Sequence, residues 1–178
     1  MSASVQDELG QITQNRRIAR DFYLSRLEAP AIAALVKPGQ FVELQVATKH
    51  SPYLRLPLSV GQRDAEAGTL DLLYEAVGPK TVALSRLRSG NKVACLGPLG
   101  HGFRPPPDDH AALMVGGGIG VPPLLFWGDR LRRAGHDVTL MVGARGIGQH
   151  LPIEFLERAA QQVMLATDDG SLGHHGLV

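Results

Sequence analysis

The chain has 178 residues, 18 Lys plus Arg against 17 Asp plus Glu, 44% hydrophobic residues, 21 Gly, 12 Pro and one Cys. At about 100–200 residues per domain, that length holds one ordinary domain or two small ones, with room for a sizeable core. A net charge of +1 with both signs scattered along the chain offers no basic stripe to a phosphate backbone, and no window reaches the roughly 18 apolar residues of a spanning helix, so neither nucleic acid nor membrane is an expected partner. The start, MSASVQDELGQ, is too polar for a signal-peptide core, and a cytoplasmic protein is expected. The lone Cys95 excludes an internal disulfide and cannot by itself hold zinc or an iron–sulfur cluster.

From the N-terminus, short alternating or β-branched segments predict strands over 12–27, 41–47, 54–60, 69–77 and 92–96. Turn signals separate them: Lys37-Pro38-Gly39, Ser51-Pro52, Ala67-Gly68 and Ser89-Gly90. Five or six strands at such spacing predict a small antiparallel barrel or sandwich. Residues 80–88 break the pattern as a short helix started by Gly78-Pro79. The three prolines and two acids of Arg104-Pro105-Pro106-Pro107-Asp108-Asp109 preclude regular pairing, and a domain boundary is placed there, giving 1–104 and 105–178. Beyond it the pattern is β-α-β: strands over 111–115, 138–142 and 163–167, helices over 121–133 and 152–161. A parallel sheet follows, and residues 173–178 read as the approach to another element.

The strongest local motif is Gly116-Gly117-Gly118-Ile119-Gly120-Val121-Pro122-Pro123, between a strand and a helix. Glycines let backbone approach a ligand, and a helix start presents free N–H groups to an anion such as a nucleotide pyrophosphate. The spacing is not the dinucleotide fingerprint G-x-G-x-x-G, and a tight turn that merely packs helix on strand is the alternative. On the barrel side, Arg55, Leu56, Pro57, Leu58 and Ser59 form a strand with an internal proline, the mark of an edge or opening where a flat ring or phosphate is met. Leu73, Tyr74 and Glu75 lead into a helix start carrying Lys80 and Thr81, a candidate phosphate site or else a capped surface helix. Asp168 and Asp169 lie at the carboxyl end of a parallel strand, where ligands of open α/β sheets bind. His174-His175 has no third ligand nearby in sequence, and no nucleophile elbow occurs, so no metal site and no catalytic side chain are assigned.

Taken in order, Pro38-Gly39-Gln40-Phe41, Pro57-Leu58-Ser59, Gly97-Pro98-Leu99-Gly100-His101-Gly102-Phe103, the glycine loop at Gly116 and Ala166-Thr167-Asp168-Asp169-Gly170-Ser171 resemble the ferredoxin–NADP reductase-like superfamily. Within it, the resemblance is to the electron-transfer subunits of NAD-dependent dihydroorotate dehydrogenase. It implies a β-barrel followed by an α/β unit: a ferredoxin reductase-like FAD-binding antiparallel barrel plus a truncated parallel-sheet NAD-binding domain. It also implies FAD and NAD(H) as cofactors, a catalytic dehydrogenase subunit as partner in a hetero-oligomer, and a role in pyrimidine biosynthesis.

Carried over by position, Leu56 to Ser59 and Leu73 to Glu75 meet the flavin, Lys80 and Thr81 its pyrophosphate, and the glycine loop with Asp168 and Asp169 the nicotinamide nucleotide. The resemblance also marks departures. The family has Arg where Leu56 stands, usually Arg where Glu75 stands, and Gly where Lys80 stands. Its 2Fe-2S cluster is held by C-terminal cysteines that have no counterpart here, which implies either a longer gene product or a subunit without the cluster. A docking module poor in cofactor, and a reductase subunit of another redox complex such as a hydrogenase or a glutamate synthase-like enzyme, are the competing expectations.

Overall fold

The computed structural model describes residues 4–46 and 54–178. Ala47, at the end of the expected strand 41–47, and the Ser51-Pro52 turn signal lie outside the described residues. The first half holds β1 (Gln6–Arg17), β2 (Phe22–Glu28), α1 (Pro30–Leu35), β3 (Phe41–Leu44), β4 (Leu56–Asp64), β5 (Thr69–Glu75), α2 (Pro79–Ser85) and β6 (Lys92–Leu99). The strands close into an antiparallel barrel in the order β1-β2-β5-β4-β3-β6.

Strand alternation decides what each residue sees, because successive side chains point to opposite faces. On β5, Leu70, Leu72 and Tyr74 fill the barrel, while Leu73 points outward and is equally buried. Leu58 and Val60 of β4 and Val93 and Cys95 of β6 complete the interior, and α1 and α2 seat Ile32 and Leu84 in it. The segment 12–27, expected as one strand, is two. It breaks at Asp21, which takes φ 64°, a left-handed conformation that Asp tolerates better than most residues. The resulting turn brings Ser25 opposite Asn15 and Tyr23 opposite Arg17.

The second half runs β7 (Ala112–Gly117), a 3-10 turn at Gly118–Gly120, α3 (Pro122–Arg133), β8 (Val138–Ala144), a 3-10 turn at Ile147–Gln149, α4 (Ile153–Ala159), β9 (Gln162–Thr167) and β10 (His174–His175). The sheet order is β10-β9-β8-β7, parallel throughout. Where three strands were expected there are four, because His174 and His175, in the segment read as an approach, pair with Ala166 and Thr167.

The two halves share a core. Phe126 of α3 belongs to the barrel's apolar cluster, and Phe22, Leu24 and Leu73 of the barrel pack with Val121, Leu125 and Leu140. Gly61 makes the close approach possible: a Cβ there would lie 2.6 Å from Leu73 Cδ1 and 3.5 Å from Pro122 O. This packing fixes the carboxyl ends of the parallel strands against the outer face of β2 and β5.

Candidate functional site

A cleft of about 320 Å³ opens at that junction. Gly117, Gly118, Ile119 and Asp168 line it from the α/β half, and Phe22 and Glu75 from the barrel. The position follows from topology, since the carboxyl ends of parallel strands are where loops leave the sheet and a crevice forms. Glu75 reaches it because it pairs with Phe22 on the outward face of the barrel. At Gly118 and Gly120 a Cβ would have nothing within 4 Å, and Gly118 has φ 50°, so the loop presents bare backbone to open space. Gly116 works differently: a Cβ there would meet Leu124 Cδ1 at 2.8 Å, so it serves helix–strand packing. Val121 and Pro122 are buried against the barrel and join the halves.

Arg145 and Gln149 also line the cleft, and sequence reasoning did not single them out. The signal available was the run Gly143-Ala144-Arg145 at the carboxyl end of β8, beside the glycine loop. Asp168 and Asp169, adjacent in sequence, part company here. Asp168 faces the cleft, whereas Asp169 lines a neighbouring concavity with Arg20 and Arg145. Ser171 donates to Asp169 Oδ1 from its hydroxyl at 2.5 Å and its backbone N–H at 2.9 Å, and these bonds hold the Asp169 carboxyl below its ordinary range.

The second cluster surrounds α2. Lys80 Nζ is buried and has no hydrogen-bond partner among the described residues. A buried ammonium with no acceptor is costly, and an anionic ligand is the group that would satisfy it. Thr81 is committed elsewhere: its Oγ1 accepts from Gly78 N–H and donates to Gly78 O, both at 3.0 Å, closing the first turn of the helix. On β4, Pro57 is exposed and Ser59 half-buried, while Leu56 and Leu58 pack against the barrel core. Arg55 makes a two-pronged ion pair with Asp7, at 2.7 and 3.1 Å, which holds its guanidinium on β1.

Tyr74 and Cys95 face inward. The Tyr74 ring stacks on Tyr23 with centroids 5.8 Å apart, and its hydroxyl donates to Asn15 Oδ1 at 3.0 Å. Burial pushes the Tyr74 phenol and the Cys95 thiol each up to about 12. Neither side chain reaches the cleft. No group of three or more His, Cys, Asp or Glu residues close enough to hold a metal ion occurs among the described residues.

No family model matches the chain. Among curated proteins, it is 38% identical over 162 residues to the electron-transfer subunit of dihydroorotate dehydrogenase B (NAD(+)) from Desulforamulus reducens, covering 90% of this chain and 62% of that one. The corresponding subunit from Geobacillus thermodenitrificans is 39% identical over 170 residues, with 94% and 65% covered. The chain thus spans a little under two thirds of the length of these relatives. Among solved structures, an NADH-dependent reduced ferredoxin–NADP oxidoreductase studied for flavin-based electron bifurcation superposes with a TM-score of 0.84 at 28% identity, over 99% of this chain and 61% of that one. Phthalate dioxygenase reductase, at 20% identity and a TM-score of 0.75 over 92% of this chain and 52% of that one, shares the fold.

Proposed function

Because the chain is a relative of the electron-transfer subunits of dihydroorotate dehydrogenase B with a ferredoxin reductase-like fold, we propose that it is the flavin- and nicotinamide-binding part of such a subunit. In this reading residues 1–104 hold FAD, residues 105–178 hold NADH, and electrons pass to a catalytic dehydrogenase partner in pyrimidine biosynthesis. The observation that carries it is the cleft at the carboxyl ends of β7 and β8, faced by Glu75 and Phe22 of the barrel. Such a cleft brings a ligand of each half to one junction.

The residues present fit both groups. Bare backbone at Gly117 and Gly118 admits a pyrophosphate without a side chain in the way. Lys80, with its buried Nζ unpartnered among the described residues, is the cation this reading assigns to the flavin diphosphate. Pro57 and Ser59 stand on the stretch of β4 that pairs with β3 but lies ahead of its pairing with β5, and this opening is offered to a planar ring. FAD, when bound, would supply hydride acceptance from reduced nicotinamide and release of electrons singly or in pairs. The protein's own part is positioning: the shared core sets the barrel face and the glycine loop at fixed separation.

Thermal denaturation with FAD and NADH added separately and together tests this reading. Each ligand is expected to raise the melting temperature, because a ligand that binds only the native state stabilises it. A second reading, a docking module without cofactor, draws on the carboxylate of Glu75 in the cleft and on Leu56 being apolar. Melting temperatures unmoved by either ligand would favour it.

A further inference from the structure

Asn15 of β1 uses every hydrogen-bonding position its carboxamide has. Nδ2 donates to Leu84 O at 2.8 Å and to Leu87 O at 3.0 Å, and Oδ1 accepts from Ser25 Oγ at 2.7 Å and from Tyr74 Oη at 3.0 Å. One side chain therefore ties β1, β2, β5 and the end of α2 together. Leu84 seats α2 in the barrel core through apolar contact, and the carboxamide adds directional bonds that fix how the helix is turned there. A helix of seven residues is too short to hold itself; its last turn is closed by the N–H groups of Arg86 and Leu87 on Ala83 O and Leu84 O, and Asn15 adds the bonds that join this turn to the barrel. Lys80 lies one turn before Leu84, about 6 Å along the axis.

We infer that Asn15 is a positioning residue for the dinucleotide phosphate site: by fixing the carbonyls at the end of α2 to β2 and β5, it keeps Lys80 Nζ in its buried, unpartnered place. This inference rests on the flavin reading of the barrel. It assigns Tyr74, which faces away from any ligand, to the same framework. A hub that only stabilises the barrel would lower stability and ligand affinity together; a positioning residue separates them.

The variants Asn15→Asp and Tyr74→Phe make that separation. The first keeps both accepted bonds and removes the two donated to α2. The second removes one accepted bond and leaves α2 tied. FAD affinity is measured by flavin fluorescence quenching, NADH affinity by calorimetry, and the order of residues 80–87 by amide hydrogen exchange. Asn15→Asp is expected to weaken FAD by about tenfold or more and to speed exchange in α2, while Tyr74→Phe changes FAD by less than about twofold and neither variant moves NADH by more than about twofold. Asn15→Ser, whose hydroxyl is too short for α2 and draws back from Ser25 and Tyr74 as well, removes the tie without a buried carboxylate and is read against Tyr74→Phe in the same way. FAD affinity unchanged in Asn15→Asp and Asn15→Ser, or lost in all three variants in proportion to melting temperature, overturns the inference alone. A wild-type chain that takes no FAD overturns the flavin reading, and this inference with it.

Discussion

The barrel and the parallel sheet bury their apolar residues to different degrees. Inside the barrel, Leu70, Leu72, Val60 and Ile32 are fully enclosed. On the sheet, α3 and α4 cover one face with Leu125 and Leu156, and Leu140 beneath them is also fully enclosed. On the opposite face Leu113 is 65%, Val115 49% and Met164 54% exposed. Closure explains the contrast: a barrel has no open edge and shelters its own interior, whereas a parallel sheet relies on helices for both faces. The barrel can therefore carry a rigid site from its own residues, and the sheet carries its site at the end held against the barrel.

Substitutions in the enclosed core and on the open face should differ widely in their effect. Leu72→Ala should cost about 2–5 kcal/mol, and Gly128→Val, whose side chain would collide with Ala159 O and Met114 Cε, should cost about 3 kcal/mol or more. If the shared core couples the halves, each variant lowers the single midpoint of a urea transition followed by circular dichroism. Two transitions, only one of them shifted, would show the halves to be independent. Alkaline titration comes next. Tyr74 and Cys95 have ordinary values of 10.0 and 9.0 and are each raised to about 12, so the folded state keeps them neutral where the unfolded chain ionises. Their contribution is present in full below pH 9, begins to fade as the unfolded groups ionise, and is lost by about pH 12; Tyr74→Phe with Cys95→Ala should flatten the fall in melting temperature over that window.

Lys80→Met should weaken FAD by roughly 10- to 100-fold, the value of a charged hydrogen bond, and leave NADH affinity unchanged; equilibrium titration reads both. The smallest effect is expected at the open face. Leu113→Ser and Met164→Ser should change stability by less than about 0.5 kcal/mol in urea denaturation, in contrast with Leu72→Ala. A loss as large as that of the barrel variant would mean the face is covered in solution.

Much of this architecture was legible from pattern. The alternation over 69–77, the proline-started helix at 122 and the apolar runs of β7 and β8 all state their own structure, because burial there follows periodicity. What escaped depends on single residues or on distant contacts. The break between β1 and β2 turns on one left-handed Asp21, and β10 is two residues that pair only because β9 is beside them. At the candidate site, the glycine loop, Glu75 and Asp168 line one cleft, while the inward turn of Tyr74, the engagement of Arg55 with Asp7 and the closure of Thr81 on Gly78 are set by partners far apart in sequence or by cap geometry. Arg145 escaped because its importance lies in where β8 ends.

The proposed function rests on the barrel carrying a flavin that the neighbouring cleft supplies with electrons. Its most direct test is the visible spectrum of the purified chain reconstituted with FAD under anaerobic conditions, before and after NADH. A yellow protein whose visible flavin absorbance bleaches on adding NADH is the expected result. A colourless protein after reconstitution, or a flavin-loaded protein that NADH leaves yellow, would contradict it.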